Sequence, residues 1–270
     1  MLSKQTSDLS DCSIDSFLNQ GFLIFRQSDL LEKISQTNLK NYLDSIISLR
    51  AKSKDFFDLN EQVKRQFYSE KEFKLQGEGY GYYPGWWPVS AYDDIDEGVD
   101  FRMEYLMTHN FYNFREQNPF SDRTFADNDA VKQYENILPN LEAHKIGEFL
   151  DRYVLSRVKT EFVNTLDIDV KINYMQIQVA YYQEATSISK HTDASFLQAV
   201  IGPTTDFIVT PFQSNQSVSV SLDVGEIILY PGRAFQKKMN LVKTKLPTAL
   251  VHQVEAKAGR MSILTGFYCQ

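Results

Sequence analysis

The sequence predicts an α+β protein whose strands form a sandwich or barrel, and three observations carry that prediction. Apolar residues recur at three- and four-residue steps through much of the chain before Leu166, as on one face of a helix. After Leu166 the pattern changes to short alternating segments broken at Gly202-Pro203, Gly225, Pro231-Gly232 and Gly259, which reads as a run of strands. No internal repeat, low-complexity segment or linker separates the two parts. One globular domain spanning 1–270 is therefore expected, with residues 1–135 as an N-terminal helix and strand region and 136–270 as a long helix followed by the strand core.

Asp15 to Gln20 has helical spacing after an Asp or Ser start, and Gly21 stops it as a C-cap. Phe22 to Phe25 is a short apolar run, expected as a buried strand. A second helix is expected from about Asn38 to Phe57, with Leu39, Tyr42, Leu43, Ile46 and Ile47 on its apolar stripe. Asp58 to Glu61 interrupts it, and a further short helix starts near Asn60.

Gly77 to Trp87 interleaves four glycines with Tyr80, Tyr82, Tyr83, Trp86 and Trp87. Glycines permit sharp turns and aromatics supply rigid contact surface, so the stretch suits a binding wall; a strand and loop packed by aromatics suits it equally. Met103 to Met107 reads as a strand. From Pro139 to about Leu166 runs a long amphipathic helix with Leu141, Ile146, Phe149, Leu150, Tyr153, Val154, Val158, Phe162 and Val163 as its stripe. His144 lies off that stripe and reads as a surface residue, and His109 has no acidic neighbour at strand spacing.

Composition narrows the function. A net charge of −7 with no dense Lys and Arg cluster argues against a nucleic-acid partner, and Lys237-Lys238 with Lys243 and Lys245 reads as a solvated loop. Two cysteines, Cys12 and Cys269, stand at opposite ends with no metal spacing, which fits a reducing compartment. The N-terminus has no apolar signal core and no run of about 18 apolar residues occurs, so a cytoplasmic protein without a membrane partner is expected.

The chemistry concentrates at His191-Thr192-Asp193. On a strand, residues i and i+2 share a face, so His191 and Asp193 could hold one metal ion, with His252 completing the set. Two imidazoles and one carboxylate on one side of an octahedral ion are the facial arrangement of non-heme Fe(II) sites. The triplet alone is weak, since four histidines and 35 acids in 270 residues produce a His-x-Asp/Glu about 0.5 times by chance. A buried histidine hydrogen-bonded to Asp is the plain alternative.

Context strengthens the metal reading. Val170 to Tyr182 alternates, so Gln176, Gln178, Ala180 and Tyr182 share one face, either towards solvent or into an interior. In the last hairpin Leu250, His252 and Val254 share a face, a turn follows at Lys257-Ala258-Gly259, and Arg260, Ser262 and Leu264 share the next face. A guanidinium beside a hydroxyl can clasp a carboxylate. An inward Arg260 therefore requires either a bound acid or an internal Asp or Glu.

These residues together resemble the Fe(II)- and 2-oxoglutarate-dependent dioxygenases, in particular the isopenicillin N synthase-like branch. The shared pattern is His-x-Asp, a distant His and Arg-x-Ser, here His191-Thr192-Asp193, His252 and Arg260-Met261-Ser262. Gln176 to Gln183 is similar to the family's strand ending in Asn-Tyr-Tyr-Pro, with Tyr182 at the tyrosine that touches 2-oxoglutarate. Phe17 to Phe25 and Phe56-Phe57-Asp58-Leu59 resemble the family's opening helix and strand and its Phe-Phe-x-Leu-Pro segment, so the likeness covers nearly the whole chain. Ala180, Gln183 and Gln253 depart from the family's Asn, Pro and Arg. The interval of 59 positions from Asp193 to His252 is slightly long for the branch, and the extra length is assigned to a polar loop at Lys237 to Leu246. The chain ends at Gln270, so the family's C-terminal covering helix is not expected, which leaves substrate capture to Gly77 to Tyr92 or to a partner subunit.

The resemblance implies a double-stranded β-helix, or jelly roll, with N-terminal helices and a long helix packed against it. It implies Fe(II) held by His191, Asp193 and His252, and 2-oxoglutarate held by Arg260, Ser262 and Tyr182. With O2, such an enzyme oxidises a C–H bond of a small molecule by hydroxylation, desaturation or cyclisation, releasing succinate and CO2. Retention of Asp193 argues against a halogenase. Gln178, Tyr80, Tyr82, Trp86 and Phe196 are the candidate substrate contacts. The alternatives are an Fe(II) oxidase of the isopenicillin N synthase type, independent of 2-oxoglutarate, and a non-catalytic jelly-roll binding protein. The sequence leaves the oligomeric state open.

Overall fold

A computed structural model of the chain describes residues 13–67, 72–74, 80–82, 85–88, 103–111, 140–166, 172–240 and 248–269. Helix α1 (Ile14–Gln20) begins at Ser13, whose hydroxyl accepts from the Ser16 amide, and ends at Gly21 with φ 81°. Only a residue free to take the left-handed conformation closes a helix this way, so local chemistry alone sets both ends. Strand β1 (Leu23–Phe25) is wholly buried. It leads into α2 (Gln27–Leu31), a helix without periodicity in the sequence, whose start is fixed by the Asp29 carboxylate accepting from the Arg26 amide at 2.8 Å.

Helix α3 (Gln36–Phe57) buries Leu39, Tyr42, Ile46, Leu49 and Phe56, while Ile47, expected on its stripe, is 57% exposed. The apolar arc is narrower than the sequence suggested, since Ile47 lies about 100° round the helix from Ile46. Asn60 caps α4 (Glu61–Lys64), and its side chain accepts from the Val63 amide. Strands β2 (Glu72–Lys74) and β3 (Tyr80–Tyr82) pair antiparallel.

The long helix is in three parts: α5 (Asn140–Phe149), a π-helical turn (Leu150–Leu155) and α6 (Ser156–Leu166). The wider π turn inserts residues into the 3.6-residue repeat, so the buried positions shift from Ala143, Ile146 and Phe149 to Val154, Leu155, Val158 and Phe162. Leu141 and Val163, expected on the stripe, are accordingly 60% and 45% exposed. Phe149 stacks on Tyr42 of α3 at 3.7 Å, which docks the long helix on α3.

The strand region comprises two larger antiparallel sheets. The first contains β4 (Gly85–Pro88), β5 (Met103–Phe111), β6 (Ile172–Tyr182), β8 (Leu197–Ile201), β11 (Ile227–Pro231) and β13 (Met261–Cys269), in the order β1-β11-β8-β13-β6-β5-β4. The second, of four strands, contains β7 (Thr186–His191), β9 (Thr204–Thr210), β10 (Val218–Leu222) and β12 (Val251–Ala256), in the order β10-β9-β12-β7.

Alternation along the seven-stranded sheet divides the apolar residues between two cores. Ile227 and Leu229, Leu197 and Ala199, and Ile177 and Val179 pack with the helices. Ile228, Tyr230, Val200, Ala180 and Tyr182 face the other way and meet Phe207, Val209 and Val254 of the smaller sheet, with Leu250 just before β12. Helices, large sheet and small sheet are thus stacked, and both faces of the large sheet are buried. The face of β6 carrying Ala180 and Tyr182, left open by the sequence, points between the sheets.

The polar loop expected at Lys237 to Leu246 is corrected in its first part. Helix α7 (Arg233–Asn240) includes Lys237 and Lys238, and it buries Phe235 and Met239, four residues apart on one face. That spacing is the signal a reading centred on the lysines overlooks. Residues 241–247 lie outside the described residues, as do most of the Gly77 to Tyr92 stretch and Cys12.

Candidate functional site

The three metal-ligand candidates converge although they come from distant parts of the chain. In the β7–β12 ladder His252 stands directly opposite His191. Their ring centroids are 4.2 Å apart. Nδ1 of His191 lies 2.8 Å from the Ser189 carbonyl oxygen, and Nδ1 of His252 lies 3.1 Å from that of Leu250. A carbonyl can only accept, so these bonds place the proton on Nδ1 and leave the Nε2 lone pair of each ring available to a metal. His252 is 4% exposed. Burial, with His191 adding to it and Asp193 opposing, holds its pKa below the usual histidine range and keeps it in the neutral form that ligation needs.

Asp193 does not share a strand with His191, as the sequence suggested; β7 ends at His191 and Asp193 lies just beyond it. Its orientation comes instead from β11 and the segment that follows it. The Tyr230 hydroxyl donates to Asp193 Oδ2 at 2.8 Å, and the Arg233 amide donates to the Asp193 carbonyl at 2.8 Å. Oδ2 lies 3.6 Å from His252 Nε2 and Oδ1 lies 4.0 Å from His191 Nε2. The potential ligand atoms of the three residues all fall within 4.8 Å of one another, so the donor set of two imidazoles and a carboxylate fits a divalent metal.

Arg260, Ser262 and Tyr182 line the same cavity as the triad. The last hairpin expected from the sequence is corrected, because β12 and β13 lie in different sheets; Gly259, at φ 77°, lies in the turn that crosses between them, and Arg260 precedes β13 with Ser262 on it. The Tyr182 amide donates to the Arg260 carbonyl at 2.9 Å, which sets the guanidinium 4.9 Å above the Tyr182 ring. Arg260 Nη2 donates to Thr204 Oγ1 at 3.0 Å, and Asp206 Oδ2 approaches Nε at 3.7 Å. An internal acid is therefore present, yet Arg260 Nη1 and Nε and Ser262 Oγ are buried without a hydrogen-bond partner among the described residues. Unpaired buried donors of this kind are costly, and a carboxylate suits both at once. Burial, partly offset by Arg260, raises the Tyr182 pKa, so its phenol stays protonated.

The candidate substrate contacts divide differently. Gln178 shares the face of Ala180 and Tyr182 and is half-buried. Trp86 and Phe196 are instead buried in the core between the helices and the large sheet, Phe196 against Phe235 of α7, and neither lines the cavity of the triad. They are corrected to core residues: Trp86, on β4, and Phe196, just before β8, pack among apolar side chains on the helix side of the large sheet. The side chains of Tyr80 and Tyr82 lie outside the described residues. Tyr230, Thr204 and Asp206 were not legible as site residues; Tyr230 carried one available signal, an isolated phenol in the apolar run Ile227 to Pro231. His144 is exposed and within 3.4 Å of Glu148, as a surface residue should be.

No protein-family model and no curated protein sequence matches the chain. Its fold is nevertheless shared with solved 2-oxoglutarate- and Fe(II)-dependent oxygenases. The chain is similar to a Caulobacter crescentus protein ascribed to the 2OG-Fe(II) oxygenase family, at 16% identity over 98% of this chain and 82% of that one, with a TM-score of 0.63. It is similar to the dioxygenase for auxin oxidation 1 of Arabidopsis thaliana in its binary complex with 2-oxoglutarate, at 14% identity, 95% and 86% coverage and a TM-score of 0.55. It is also similar to the protein JOX2 in complex with 2OG, Fe and JA, at 10% identity, 95% and 69% coverage and a TM-score of 0.56. Among the described residues no helix is long and apolar enough to cross a membrane.

Proposed function

We propose that the chain is an Fe(II)- and 2-oxoglutarate-dependent oxygenase acting on a C–H bond of a small organic molecule. The two facing sheets are read as a double-stranded β-helix, and residues 1–270 as one oxygenase domain. The single observation that carries the reading is the cavity that unites a His191, Asp193 and His252 donor set with the unpaired Arg260 and Ser262 donors. Solved structures of the same fold whose names include 2-oxoglutarate support it.

His191 and His252 would hold Fe(II) through Nε2, and Asp193 through its carboxylate. When bound, Fe(II) with 2-oxoglutarate and O2 supplies the oxidation, with succinate and CO2 released as the substrate C–H bond is oxidised. The Arg260 guanidinium and Ser262 hydroxyl bind the far carboxylate of 2-oxoglutarate. The Tyr182 ring packs against the guanidinium and supports its orientation. Asp206 and Thr204 stabilise the Arg260 charge in the buried setting while leaving Nη1 for the ligand. Ile188, Val200, Phe207, Val254 and Leu264 line the cavity and reduce water access, which strengthens each of these charged contacts.

The test is anaerobic addition of Fe(II) and 2-oxoglutarate. A visible charge-transfer band that requires both is the expected result; its absence from folded, metal-loaded protein overturns the reading. A metabolite panel scored for succinate release then identifies the substrate.

A further inference from the structure

We propose that Tyr230 is a positioning residue for Asp193, selecting which carboxylate oxygen is offered to a metal. The inference rests on the metal reading above and adds the device that makes the carboxylate a defined ligand. Asp193 has no strand to orient it, since β7 ends two residues earlier. Its place is set by the chain from Tyr230 to Arg233 acting as a cradle.

Three bonds build that cradle. The Arg233 amide fixes the Asp193 carbonyl at 2.8 Å, the Gly232 amide fixes the Phe196 carbonyl at 3.0 Å, and the Tyr230 hydroxyl fixes Asp193 Oδ2 at 2.8 Å. The two segments approach so closely that a Cβ on Gly232 would lie 2.1 Å from the Ser195 carbonyl oxygen. A main-chain bond therefore locates residue 193, and among the described residues the Tyr230 hydroxyl is the hydrogen-bond donor to its carboxylate.

Tyr230 is suited to the task. It is 1% exposed, packed against Phe207 at a centroid distance of 5.7 Å and against the His252 ring at 5.2 Å. Its hydroxyl proton therefore has a fixed direction, and Oδ2 carries a strong neutral donor. Oδ1 receives no hydrogen bond among the described residues and is the oxygen left with its full donor strength towards a metal. A carboxylate held this way would offer a metal one oxygen, Oδ1, as its ligand.

Co(II) binding tests the inference without relying on turnover. Tyr230→Phe keeps the ring and removes only the donor. It is expected to weaken Co(II) affinity by about 10-fold or more and to alter the intensity and position of the Co(II) visible bands, which report coordination number. Circular dichroism and thermal melts confirm that the variant is folded, and Tyr230→Leu serves as the second donor-free variant if the Phe substitution fails to fold. Unchanged affinity and spectrum in a folded donor-free variant overturn the proposal. Wild-type protein that binds no Co(II) overturns both this inference and the metal reading, so the two failures are distinct.

Discussion

His191 and His252 are direct cross-strand partners, and each ring donates from Nδ1 to the carbonyl two residues earlier in the chain. One ladder rung thus supplies two ligands with matched tautomers. The two differ in setting: the His191 side chain is 37% exposed and that of His252 is 4% exposed.

His191→Ala is therefore expected to abolish Fe(II) and Mn(II) binding with little change in the melting temperature of metal-free protein. His252→Ala is expected to abolish binding and also to cost roughly 2–4 kcal/mol of stability, because it leaves a cavity beside Phe207 and Tyr230. Calorimetric metal titration and thermal denaturation separate the two effects. Equal destabilisation by both variants would contradict the burial difference.

Ser262→Ala should dissociate affinity from stability. Its buried hydroxyl has no hydrogen-bond partner among the described residues, so the substitution is expected to leave stability unchanged or raise it by about 1 kcal/mol. The same change is expected to weaken 2-oxoglutarate about 10-fold, since a hydrogen bond to a charged group is lost. Arg260→Gln is expected to weaken it by about 30-fold or more, with Asp206 then left without its cation. Isothermal titration of the metal-loaded protein measures both.

Gly232→Ala is expected to destabilise the fold by about 1–3 kcal/mol, because its Cβ meets backbone and neither segment can yield without moving residue 193. Metal affinity should fall with it. A variant of wild-type stability and metal affinity would show that the 193–196 and 230–233 segments have room the structure does not suggest.

Stability is expected to decline in alkali. Burial pushes the Cys269 thiol up to about 12, against the opposing pull of Lys238 and Lys159, and burial likewise raises the Tyr42 phenol. Both groups deprotonate first in the unfolded chain. Their contribution is complete below the unfolded values and is lost as pH rises from about 9 towards the raised folded values. Urea midpoints measured between about pH 8 and 11 should fall, and less steeply in Cys269→Ala. Iodoacetamide should react slowly with Cys269 in the native protein at about pH 8.

The sequence by itself determined whatever depends on neighbours along the chain. Ser13, Gly21 and Asn60 mark helix ends because capping is a contact over three or four residues. Two-residue alternation was enough to align His252 with Leu250 and Val254, and Arg260 with Ser262 and Leu264. Only the tertiary structure decided what those faces meet. Alternation gives a strand two faces but does not say which one the helices cover; that choice sent Leu197 and Ala199 to the helix side and Tyr182 and Tyr230 between the sheets. Pairing register, bulges and a turn after β7 then brought Tyr230 to Asp193 across 37 positions and Asp206 to Arg260 across 54. Contacts at that separation follow from how the sheets stack, and no local pattern encodes them.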